Sequence, residues 1–109
     1  MKDNPEFSQS AMAQSATEAS TYLRTLSNPA RLLLLCQLVE GEKRVGELEE
    51  ALGLGQAYVS QQLARLRAED LVRARKEGRI VYYSVADKRV LTLVQVLYDL
   101  FCSQPKTDD

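Results

Sequence analysis

The chain has 109 residues, 45% of them hydrophobic and 27% charged, which fits a single globular domain and excludes disorder of the whole. It contains no histidine, so the commonest general base, the commonest zinc ligand and every Ser–His or Cys–His catalytic pairing are absent, and an enzyme is not expected. The net charge of −1 is unevenly spread: Gln56 to Tyr82 carries six cations against three acids, a basic patch on a mildly acidic body. The longest apolar run, Leu32 to Cys36, falls far short of the roughly 20 residues of a membrane span. No apolar segment follows Met1, so no export signal is expected, and the reading is a cytoplasmic protein with its two cysteines reduced.

Residues 1–10 are polar, contain Pro5, and read as a disordered arm. From Ala11 a helix is expected, with Ala16, Ala19, Leu23 and Leu26 on one face. It stops at Ser27, where Asn28 is a good N-cap and Pro29 a good first residue for a second helix ending near Gly41. A third, Val45 to Leu52, and a fourth, Gln56 to Glu69, are separated by Gly53-Leu54-Gly55, the signature of a helix-turn-helix. After Leu71 the period falls to about 2. Val72 to Arg75 and Arg79 to Val85, joined at Glu77-Gly78, read as a two-stranded ribbon, a wing beside the helix-turn-helix.

The last helix, about Asp87 to Cys102, is apolar nearly all round, with only Thr92, Gln95 and Asp99 polar between Val90 and Cys102. A terminal helix buries one stripe on its own body, so a core helix explains this pattern less well than a homodimer interface does. The reading is therefore a mostly α, winged helix-turn-helix homodimer, with its domain at residues 11–102 and a polar tail at 103–109.

The order of Asn28-Pro29-Ala30-Arg31, Val59-Ser60-Gln61-Gln62-Leu63-Ala64-Arg65-Leu66, Leu71-Val72, Gly78-Arg79 and Tyr83-Ser84-Val85 resembles the ArsR/SmtB family of winged-helix repressors. That resemblance implies a symmetric homodimer, built by the first and last helices, on double-stranded operator DNA with two half-sites. It also implies an inducer that releases the DNA. The residues agree with a DNA-reading role. Gln56, Tyr58, Ser60 and Gln61 lie at the start of the fourth helix, off its Val59–Leu63–Leu66 face, and Arg65 continues that exposed side. Gln pairs with adenine, and Ser and Tyr donate to phosphate. Tyr58 fits packing against the preceding helix equally well. Arg73, Arg75, Lys76 and Arg79 on the wing would add backbone or minor-groove contacts.

The family's metal sites do not carry over. The position of its cysteine-rich motif reads Val45-Gly46-Glu47-Leu48, and the last-helix positions read Asp87, Arg89, Leu100 and Ser103. The first stretch offers no thiol, and the last-helix positions offer one carboxylate and no imidazole, so neither a metal nor a cofactor is expected. Cys36 and Cys102 remain. In this fold their helices pack together, and a pair in these elements is similar to the persulfide-sensing SqrR/BigR-like branch, whose dithiol carries over to these two residues. The resemblance implies sulfane-sulfur donors as inducer. Three other readings stand beside it: a thiol redox or thiophilic-ion (As, Cd) sensor, two cysteines acting as small hydrophobes, and a winged-helix adaptor that binds protein rather than DNA.

Overall fold

A computed structural model describes residues 6–102. In chain order the elements are α1 (Gln9–Leu26), α2 (Pro29–Val39), β1 (Lys43–Arg44), α3 (Val45–Leu52), α4 (Gln56–Ala68), β2 (Val72–Glu77), β3 (Ile80–Val85) and α5 (Lys88–Phe101). Local chemistry sets most boundaries. Ser8 accepts from the Ala11 N–H and starts α1 at Gln9, two residues inside the stretch read as a disordered arm. Asn28 caps α2 through the Arg31 N–H at 3.0 Å, with Pro29 at its first position. Gly53 ends α3 in the left-handed conformation, φ 67°, its N–H reaching the Glu49 carbonyl.

The sheet has three strands rather than two. β3 sits in the middle, antiparallel to both β2 and the short β1, with Lys43 opposite Tyr83 and Arg44 opposite Tyr82. Two residues are too few for a visible alternation, so β1 emerges only from its pairing. The strand roots the wing in the segment between α2 and α3.

The core gathers Leu34, Leu35 and Leu38 of α2, Leu48 of α3 and Val59, Leu63 and Leu66 of α4, with Leu71, Val72 and Val90 beside them. The expected inner face of α4 is fully buried. By contrast Ala16, Ala19 and Leu23 of α1 are exposed, and only the end of that helix, Thr25 and Leu26, is buried. Of the expected face Leu26 alone is buried, and the described residues of this chain leave the rest of it exposed. α5 behaves likewise: Val90 is buried and Leu93 and Val94 pack on the core, while Leu91, Val96, Tyr98, Leu100 and Phe101 are exposed. Arg89 links the two helices by pairing with Glu18 at 3.4 Å and lying over the Tyr22 ring. None of the described helices is long and apolar enough to cross a membrane.

Candidate DNA interface and thiol groove

α4 turns Val59, Leu63 and Leu66 into the core, and this leaves Gln56, Tyr58, Ser60, Gln61 and Arg65 on its exposed side. Its N-cap is Gly55, whose lack of a side chain leaves the first-turn N–H groups without a side-chain acceptor. That end of the helix is electropositive and open to an anion. Tyr58 is 41% exposed, which leaves its ring available at the surface.

The inner face of α4 holds a residue that periodicity alone did not single out. Gln62, only 8% exposed, accepts from Arg31 Nη1 at 2.9 Å, and Arg31 Nε donates to the Thr25 carbonyl at 2.6 Å. One guanidinium thus ties the end of α1 and the start of α2 to α4. The only signal for it in the sequence was Arg31 itself, three residues after a helix cap.

The wing cations divide into two groups. Arg73, Lys76 and Arg79 are exposed and form no ion pair among the described residues. Arg75 is engaged within the protein. Its Nε and Nη2 meet the Glu42 carboxylate at 3.0 and 2.8 Å, its Nη1 meets Glu77 at 3.3 Å, and its guanidinium lies 4.6 Å over the Tyr82 ring. The Arg75 hydrogen bonds hold the Glu42 carboxyl below the usual carboxylate range, and Glu42 and Glu77 push the Arg75 guanidinium further up. Arg75 therefore fastens the wing to the segment after α2, and its charge is matched there by two carboxylates.

The two cysteines, 66 positions apart in sequence, line one groove between α2 and α5. Cys36 is half-buried and Cys102 exposed, at the C-cap of α5 with its N–H on the Tyr98 carbonyl. Burial pushes the Cys36 thiol up, and the neighbouring Cys102 pushes it further. At neutral pH Cys36 is held as thiol, so its nucleophilic form is a minority species. The groove volume is about 680 Å³. Asp87, one of the positions tested above for a metal, caps α5 through the Arg89 N–H and pairs with the Arg89 guanidinium at 2.8 Å.

Residues 28–74 match the family model of bacterial regulatory proteins of the arsR family. The chain is 43% identical over 108 residues to a biofilm growth-associated repressor of Xylella fastidiosa, covering 97% of this chain and 95% of that protein. Among solved structures it is similar to the transcriptional repressor BigR from Xylella fastidiosa, with 42% identity and a TM-score of 0.86 over 90% of this chain and all of that one. A homodimeric winged helix-turn-helix domain from Mycobacterium bovis, described as a possible ArsR-family regulator, matches with 28% identity and a TM-score of 0.71 over 88% of each chain.

Proposed function

The chain belongs to the ArsR family of bacterial regulatory proteins, DNA-binding regulators rather than enzymes, and we propose that it is a cytoplasmic homodimeric repressor whose Cys36–Cys102 pair senses reactive sulfur. The observation that carries this reading is the shared groove: two thiols from distant parts of the chain, close enough for one to shift the other's titration. DNA is read by Gln56, Tyr58, Ser60, Gln61 and Arg65 in the major groove, with Arg73, Lys76 and Arg79 at the flanking backbone. Dimerisation covers the exposed apolar face of α1 and, on α5, Val96 and Leu100, which lie outside the thiol groove, in keeping with the homodimeric relative.

The chemistry balances without an external oxidant. Each thiolate takes the outer sulfur of a persulfide donor, which leaves as its thiol, so each cysteine becomes a persulfide. The Cys36 persulfide anion then attacks the sulfur bonded to the Cys102 side chain. A new S–S bond forms, hydrosulfide leaves, and a trisulfide joins α2 to α5. Such a bridge spans farther than a disulfide, whose Cα atoms lie within about 7 Å.

Intact mass and operator binding before and after a sulfane-sulfur donor test this reading. The expected product gains sulfur, loses two hydrogens and releases DNA, whereas Cys36→Ser and Cys102→Ser each bind DNA and fail to release it. Release by either single variant overturns the two-thiol mechanism. Loss of two hydrogens without added sulfur identifies a redox sensor, a retained ion identifies a thiophilic-metal sensor, and salt-independent failure to bind any operator-like duplex identifies an adaptor.

A further inference from the structure

The groove around the two thiols has a chemical bias of its own. Its walls are leucines and valines of α2 and α5, closed by Tyr98 and Phe101. Among its described lining residues Glu40 is the one acid, and no cation faces in. Glu40 is already paired with Lys43 at 2.9 Å, and the Gln95 amide donates to Asp99 at 2.9 Å. An anion entering from water therefore loses hydration and meets no charge partner. An apolar molecule gains by leaving water, and the volume of about 680 Å³ lies in the ordinary range for small-ligand sites.

We infer that this groove is a binding site for an uncharged, apolar sulfur carrier, a chain or ring of sulfane sulfur without a charged headgroup, which settles against Cys36 before it reacts. The inference rests on the two thiols being the sensor and adds the class of molecule that reaches them. It also gives Cys36 a route to reaction despite its burial: local accumulation of the carrier offsets a small thiolate fraction. In the exchange, the Cys36 thiolate, its proton released to water, attacks a sulfur within the chain. The adjacent S–S bond breaks and its electron pair leaves on the displaced thiolate. Cys102 attacks the transferred sulfur next and displaces the second end as a thiolate, so a bridge forms with no other oxidant.

Diallyl trisulfide and glutathione trisulfide carry the same reactive group, one uncharged and apolar, the other anionic. Their rates of modifying the intact protein, read by mass and each normalised to its rate with N-acetylcysteine amide, are expected to differ by about tenfold or more in favour of diallyl trisulfide. Leu33→Arg, at an exposed lining position, should close most of that gap. On the Cys36→Ser/Cys102→Ser double variant, where no exchange occurs, N-phenyl-1-naphthylamine fluorescence should show saturable binding displaced by diallyl sulfide and not by glutathione. Equal normalised rates, or no displaceable binding, overturn the groove inference while the bridging and release tests above still stand. Failure of both trisulfides to modify either thiol overturns the sensor reading together with it.

Discussion

Salt dependence tests which of the wing cations meet DNA. Arg73 and Arg75 point to the same side of β2, so alternation alone treats them as equals. The structure makes them unequal, because Arg75 is held by Glu42 and Glu77 and stacked on Tyr82, while Arg73 forms no ion pair among the described residues. Each phosphate neutralised contributes about 0.9 to the slope of log K against log salt. In a dimer on two half-sites, Arg73→Ala removes two such contacts and reduces the slope by about 1.8. Across a fourfold rise in salt that amounts to about a twelvefold smaller loss of affinity than in the parent. Arg75→Ala should leave the slope near its parent value, since an internally neutralised guanidinium releases few counterions from DNA. Glu42→Gln removes the charge of Arg75's two-point partner and should move the slope the opposite way from Arg73→Ala. Fluorescence anisotropy on one operator duplex, titrated at several salt concentrations, reads all three variants. A slope lost equally in Arg73→Ala and Arg75→Ala would refute the division.

Three further outcomes follow from the packing. Arg31→Ala strands the Gln62 oxygen and the Thr25 carbonyl, and at ~1–3 kcal/mol for each unsatisfied group it should lower unfolding stability measurably in urea; an unchanged midpoint removes Arg31 as a tie between helices. Leu100→Glu sits on an exposed apolar position, so the protomer folds, but dimerisation would bury an unpaired carboxylate at several kcal/mol, and sedimentation should show monomer where the parent is dimer. Alkylation of Cys36 by iodoacetamide should titrate above an ordinary thiol, and Cys102→Ser should bring the midpoint down part of the way, because burial, the larger cause, remains. A midpoint unmoved by that substitution contradicts the closeness of the pair.

What could be read in the sequence was what local rules control. The Asn28–Pro29 start of α2, the left-handed stop at Gly53, the buried Val59, Leu63 and Leu66 of α4 and the hairpin turning at Gly78 follow from caps, period and turn residues within a few positions of each other. What could not be read was set by contacts between distant segments. Arg31 meets Gln62 across 31 positions and Arg75 meets Glu42 across 33, and no periodicity reports such a pairing. β1 is invisible for the same reason, being defined by β3 alone. The uncovered faces of α1 and α5 belong to a third kind: their apolar pattern is plain in the sequence, and the described residues of this chain leave them exposed.

α2 is the element on which these features converge, and it bears on the switch. Arg31 in its first turn holds Gln62 of α4, and Cys36, five residues on, lines the groove with Cys102. α2 also shares the close-packed core with α4 through Leu34 and Leu35, so a shift of one helix is felt by the other. A bridge between Cys36 and Cys102 acts directly on this helix. The two α4 helices of a dimer must match half-sites about one helical turn apart, so a small change in their spacing weakens binding. Loss of operator occupancy needs a coupling of only ~1–3 kcal/mol. Coupling of this kind is reciprocal: by whatever factor the bridge weakens DNA binding, DNA must disfavour the bridge. At fixed concentrations of sulfane-sulfur donor and competing thiol, the bridged fraction at equilibrium should therefore fall about 5- to 150-fold in bridged-to-reduced ratio when saturating operator is added. A duplex of unrelated sequence should have much less effect. Quenching with acid and intact mass reads the two populations directly. Equal bridged fractions with and without operator would mean that the thiols and the recognition helix are not coupled, whatever chemistry the cysteines undergo.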